Sequence, residues 1–170
     1  MKSINFRNDL LPLKDRLFRL ALRITLDTAE AEDVTQDTLI RVWEKREELQ
    51  DLKSLEAYVL TVCRNLALDR SQKRQAANLS IEETDADAPD TSPGPDEKME
   101  QDERLRRVHD IFNSLPEQQR TAMQLRDIEG RSYKEVADIM GITEENVKIT
   151  LFRARKAVKQ QYDKIENYGL

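Results

Sequence analysis

The sequence predicts an all-α protein: two small helical domains joined by an acidic flexible linker. Three observations predict it. Apolar residues recur at three- and four-residue steps through most of the chain, which is the period of a helix face. No useful length alternates with period two, so no sheet is expected. A strongly acidic strip with Pro89, Pro93, Gly94 and Pro95 interrupts the 170 residues and holds almost no large apolar residue before Met99. Such a strip cannot bury enough surface to offset its ordering entropy. The domains are set at 1–77 and 101–170, with the linker at 78–100 leaving them free to move independently.

Before the linker three main helices are expected. The first covers Asp9 to Ile24, with Leu10, Leu13, Leu17, Leu20 and Ile24 at helical spacing. The second follows Asp27, which pairs with Glu30 as a capping box. It turns Ala31, Val34, Leu39, Val42 and Trp43 inward. The third begins near Ser54, with Leu55, Tyr58, Val59, Val62 and Leu66 on one stripe.

After the linker four more are expected. One runs from Glu100 to Asn113, with Leu105, Val108 and Ile111 on its apolar face. The next opens with Pro116, suited to a first helical turn, and stops at Gly130. Ser132 and Glu135 form a second capping box, opening a short helix that ends at Gly141. Thr143 caps the last helix, which runs to Lys164.

Composition narrows the function. The net charge of −5 hides its distribution. Residues 1–77 carry 14 basic and 13 acidic groups, residues 78–103 one basic and 10 acidic, and residues 104–170 13 basic and 10 acidic. Two near-neutral or basic segments thus flank a very acidic one, and this asymmetry says more about partners than the total. The lone Cys63 cannot form an internal disulfide, and no Cys/His cluster has metal-ligand spacing, so no metal or cofactor is expected. Residues 1–8 lack the apolar run of a signal peptide. No eighteen-residue apolar stretch exists, so no membrane insertion is expected and the default location is cytoplasmic.

The stretch SYKEVADIMGITEENVKITLFRARKAVK is the most informative. A short helix with Val136, Ala137 and Met140, then Gly141, then a longer helix with Val147 and Leu151, has helix-turn-helix spacing. Ala137 must be small where the helices cross, and Gly141 permits a left-handed turn. Val147, Leu151, Ala154 and Val158 form the buried stripe. A rotation of about 100° per residue then puts Glu145, Ile149, Arg153 and Lys156 outward, with Asn146, Lys148, Thr150 and Phe152 beside them. Acids accept from cytosine, aliphatics touch the thymine methyl and cations reach guanine. Arg155, Lys156 and Lys159 would supply phosphate contacts. A helical hairpin with a solvated charged face has the same pattern, and Ile149 fits either base reading or packing against the preceding helices.

Two further faces stand out. Arg64, Arg70, Lys73 and Arg74 cluster near the end of the third helix, with Asn65 as a polar reader. They suit nucleic acid, or simply the helix dipole. Tyr58 could stack on a base, though its stripe position favours the core. On the second helix, Glu32, Asp33, Gln36 and Asp37 fall together, opposite Val34 and Leu39. That face repels phosphate, so it is either solvated or meets a basic protein surface.

Taken together, AEDVTQDTLIRVWEKR, AYVLTVCRNLALDR and LPEQQRTAMQLRDIEGRSYKEVADIMGITEENVKITLFRAR resemble an extracytoplasmic-function (ECF) sigma factor over nearly the whole chain. The resemblance implies binding to core RNA polymerase and promoter DNA, with no small-molecule substrate. It puts Asp33 and Gln36 on the helix that grips the polymerase coiled-coil clamp. It makes residues 47–54 the loop that captures a flipped minus-ten base, and places Asn65, Arg70 and Arg74 near the promoter strand. The linker would thread the polymerase along the path of the transcript, and the helix-turn-helix would read the minus-thirty-five element. An anti-sigma factor is a further partner common in the family. Two departures matter. Tyr58 stands where the family often has Trp, and Ile149 and Thr150 stand where it often has Ser-Arg, which removes a cation from the reading surface.

A helix-turn-helix repressor is the alternative reading. It would need an effector pocket or a strong dimer interface, and the first domain signals neither. An enzyme fits worse. The single histidine, His109, lies on a charged helix face, and no phosphate loop or nucleophile–base pair is present.

Overall fold

In the computed structural model, which describes residues 3–50, 54–80 and 99–167, Pro12 decides where the first long helix starts. A π-helical turn, Phe6–Leu10, leads into a 3-10 turn, Leu11–Leu13. Only then does α1 begin, Lys14–Thr25. The helix expected from Asp9 is therefore shorter. Proline lacks an N–H and fits a first turn, where that donor is unpaired anyway. Leu26 ends α1 with φ 57°, its N–H bonded to Leu22 O at 2.8 Å. Glycine usually fills that position, and a side chain there costs about 1–2 kcal/mol.

Helix α2 spans Thr28–Glu44 and α3 spans Leu55–Ser80. The Asp27 carboxylate accepts from the Glu30 N–H at 2.9 Å, as the cap requires, but the Glu30 carboxylate turns to Arg70 instead of closing the box. Ser54 Oγ accepts from the Ala57 N–H at 3.2 Å and starts α3. These three helices pack pairwise. Leu17, Leu20, Ile24, Val34, Val42, Val59 and Leu60 are fully buried between them. Truncating one such leucine to alanine costs about 2–5 kcal/mol. Cys63 donates to Leu17 O at 3.4 Å, and its burial pushes the thiol up to about 12.

Helix α4 spans Met99–Ser114, and its last turns reach the core through Ile111 and Phe112. Leu105, expected inward, is 57% exposed. It lies two turns before the part of α4 that reaches the core. Helix α5, Glu117–Met123, has Pro116 at its N-cap and runs on as a π-helical turn, Gln124–Ile128. Helix α6, Tyr133–Met140, carries the whole capping box: Ser132 Oγ accepts from the Glu135 N–H at 3.1 Å, and the Glu135 carboxylate accepts from the Ser132 N–H at 3.2 Å. Gly141 takes φ 69°, the left-handed turn the sequence required. Thr143 Oγ1 accepts from the Asn146 N–H at 3.0 Å and starts α7, Glu144–Asn167. Val147, Leu151 and Ala154 are buried and Val158 is partly so, which fixes the outward face of α7. There is no strand among the described residues.

The two halves were expected to move independently. In the structure they pack together: α1 against α5 and the π-helical turn, and α3 against α6. Arg120 Nε donates to Arg23 O at 2.9 Å and its Nη2 to Ile24 O at 3.3 Å, so it satisfies open carbonyls at the end of α1. Arg19 grips the Glu129 carboxylate with two bonds, 2.8 and 2.9 Å. Arg131 pairs with Glu56 at 3.3 Å. Arg16, Arg19 and Arg23, three cations of α1, thus all have side-chain partners. Most of the expected linker, residues 81–98, lies outside the described residues, whereas Ser80 and Met99 are helical.

Candidate functional site

Ion pairs join two of the expected sites. Arg70, expected on DNA, sits against the acidic face of α2, expected on a protein. Its Nη1 reaches Asp33 at 3.2 Å and Glu30 at 3.3 Å, and its Nη2 reaches Asp37 at 2.8 Å. One turn further along α3, Arg74 pairs with Asp27. The Glu30 N–H, opposed by burial and helped by Arg74, holds the Asp27 carboxyl below its usual range. Lys73 pairs with Asp69 on its own helix at 3.3 Å. Glu32, Asp33 and Gln36 stay exposed, and Asp37 is half-buried.

Asn65 is exposed, and Arg64 is half-buried with its Nε enclosed. Asn65 lines an open cleft of about 460 Å³ between α2 and α3, together with Tyr58, Val62, Arg41 and Lys45. Tyr58 therefore both packs on the core and opens to this cleft. Of the loop expected to capture a base, residues 51–53 lie outside the described residues. At its near end Arg46 stacks 4.0 Å over Trp43, and Leu49 is buried.

On α7, Glu145, Asn146, Lys148, Ile149, Arg153 and Lys156 are exposed and Thr150 is half-buried. Ile149 is 42% exposed and Phe152 68%, so an apolar patch stands among cations. Lys148 lies 5.5 Å over the Tyr133 ring. Arg155 differs from its neighbours: its Nε bonds Asp127 at 3.1 Å, and its Nη2 bonds the same carboxylate.

The comparisons with known proteins match both halves. Residues 12–77 match the family Sigma-70 region 2, and residues 105–158 match Sigma-70, region 4. The ECF RNA polymerase sigma factor SigL of Mycobacterium tuberculosis is 33% identical over 144 residues, covering 84% of this chain and 80% of that protein. The chain belongs to the ECF RNA polymerase sigma factors.

Sigma factors direct transcription initiation by RNA polymerase, and this chain is one of them. A probable RNA polymerase sigma factor, RfaY of Xanthomonas campestris, is 33% identical over 145 residues, which span 84% of this sigma factor but 36% of that protein. The solved sigma factor RpoE of Bartonella quintana, in complex with the anti-sigma factor NepR, superposes with a TM-score of 0.74 at 26% identity. The match covers 93% of this chain and 96% of that one. No helix among the described residues is long and apolar enough to cross a membrane.

Sequence reasoning missed that Glu30 and Asp27 pair with cations of α3. Their signal was present: Glu30, Asp33 and Asp37 step by three and four along one face of this sigma factor's α2. Asp127 was missed because nothing local links it to Arg155, 28 positions on.

Proposed function

We propose that this sigma factor binds core RNA polymerase through Glu32, Asp33, Gln36 and Asp37 of α2, reads and melts the minus-ten element with α3, and reads the minus-thirty-five element with α7. Residues 1–77 act as the first domain, 78–100 as the linker and 101–170 as the second. On α3 the promoter strand meets Arg64, Asn65 and Lys73, with Arg70 and Arg74 behind them. On α7 the contacts come from Glu145, Asn146, Lys148, Ile149, Thr150, Arg153 and Lys156. Arg155 contributes by bracing the helix on Asp127. The reading assigns no catalytic step and no cofactor, acts in the cytoplasm, and leaves an anti-sigma factor as a further partner, as RpoE has in its complex with NepR.

The observation that carries this reading is the outward face of α7. Ile149 and Phe152 are exposed between Lys148, Arg153 and Lys156, while the opposite stripe is buried. Exposed apolar groups among cations suit thymine methyls flanked by phosphates. The test is promoter selection: core polymerase loaded with the purified chain, challenged with random promoter libraries. Enrichment of a two-part element supports the reading. No enrichment over core alone would favour a repressor.

A further inference from the structure

Two cations lie over one aromatic ring beside the outward face of α7. The ring is Tyr133, the first residue of α6, fixed there by the capping box of Ser132 and Glu135. Arg126, in the π-helical turn before α6, lies 4.4 Å over it and donates to Arg131 O at 2.9 Å. Lys148 of α7 lies 5.5 Å over the same ring, inside the roughly 6 Å reach of a cation–π contact. Tyr133 is half-buried and packs against the core, whereas Lys148 is exposed.

The cations here differ in what they can still bind. Arg126 is engaged by the Arg131 carbonyl, and Arg155 by Asp127. No carboxylate pairs with Lys148 among the described residues. Tyr133 and Lys148 open onto a cavity of about 530 Å³, walled by Leu151 and Phe152 and rimmed by Arg155, Lys156 and Lys159. No acid lines it. A cavity rimmed by one sign of charge concentrates the opposite sign. A lysine stem has many rotamers, and fixing them costs part of what an anion contact contributes. A ring that holds the ammonium in place beforehand removes part of that cost.

We propose that Tyr133 positions Lys148 for one backbone phosphate of the promoter, and that the phosphate sits in this cavity. Tyr133 acts through the lysine and reads no base. The proposal rests on the reading of α7 as the minus-thirty-five helix, and adds to it a residue of α6. Losing the ring's attraction at an exposed site should change affinity about two- to fivefold.

Holoenzyme binding to a promoter duplex taken from the library selection tests this, measured across a salt series. Lys148→Ala should lower the salt slope by about 0.9, as for one phosphate of duplex DNA. Tyr133→Leu removes no charge, so it should keep the wild-type slope and weaken binding about two- to fivefold. Tyr133→Phe keeps the ring and should restore the affinity. With Lys148→Ala already present, Tyr133→Leu should weaken binding no further, because the two residues act as one unit. Should Tyr133→Leu lose helical content, Tyr133→pentafluorophenylalanine compared with Tyr133→Phe carries the same test, since fluorination keeps the ring and removes its attraction for a cation. An unchanged slope in Lys148→Ala would overturn the proposal and leave the α7 reading standing. So would an equal loss from Tyr133→Leu with and without Lys148. A wild-type holoenzyme with no salt-dependent preference for the distal element would overturn both.

Discussion

Arg70 Nη2 lies 2.8 Å from the Asp37 carboxylate, so a cation expected on promoter DNA is held by an acid expected on polymerase. Asp33 and Glu30 share the same guanidinium. Arg70 thus keeps three carboxylates of α2 from repelling one another. Arg70→Gln should lower stability by about 1 kcal/mol in low salt, at the upper end for partly exposed pairs. The loss should shrink at high salt as the acids are screened. Thermal melts at two ionic strengths check this, and a salt-independent loss would contradict it.

Arg153 and Lys156 face solvent, whereas Arg155 is engaged by Asp127. Arg153→Ala and Lys156→Ala should each lower the salt slope of promoter binding by about one unit. Arg155→Ala should leave that slope nearly unchanged and lower the melting temperature instead. Holoenzyme binding measured across a salt series separates the three variants.

Ile149 is 42% exposed, outside the Val147–Leu151 stripe. Much of its side chain is therefore open to a partner. Ile149→Ala should change preference at one thymine position by about 1–3 kcal/mol or less, with thermal stability unchanged. Competition between single-base promoter variants reads the preference. A large stability loss with the same preference would reverse the assignment.

Glu129 gives the contact between the two halves a pH dependence. Burial would raise its carboxyl, but the bonds from Arg19 and Gln124 outweigh this, with Arg16 adding, and hold it below the ordinary range. A carboxyl lowered on folding stabilises above its unfolded value, about 4.3, and that contribution is lost as pH falls through the lowered value. The contact between the halves should therefore weaken in acid. Glu129→Gln should remove part of that acid sensitivity, seen as a smaller expansion by scattering between neutral pH and about pH 3. Identical acid profiles would count against Glu129 as the group that makes the contact acid-sensitive.

Much of this was legible in the sequence, and the reason is local. Ser132 with Glu135, Gly141 and Thr143 each act within four residues, and each formed the cap or turn its chemistry requires. The α7 stripe follows from the period alone. What was not legible depends on partners far along the chain. Arg19 meets Glu129 at a separation of 110 positions, and Arg70 meets Asp37 at 33. Charged residues on a helix look alike in sequence whether they face water or a carboxylate. Leu105 shows the converse: helical period placed it inward, but among the described residues nothing covers that part of α4 enough to bury it.

The central claim is that core polymerase, met through the acidic face of α2, makes this chain a promoter reader. Replacing Asp33→Arg and Gln36→Arg together tests it most directly, with core binding and promoter affinity measured on the same preparations. The isolated wild-type chain should bind duplex promoter weakly, at about 10⁻⁴ to 10⁻⁶ M in physiological salt, and gain specific binding with core. The double variant should keep its helical content and the weak duplex affinity but lose core binding and transcription. Nanomolar, sequence-specific binding by the isolated wild-type chain, untouched by the double change, would contradict the account.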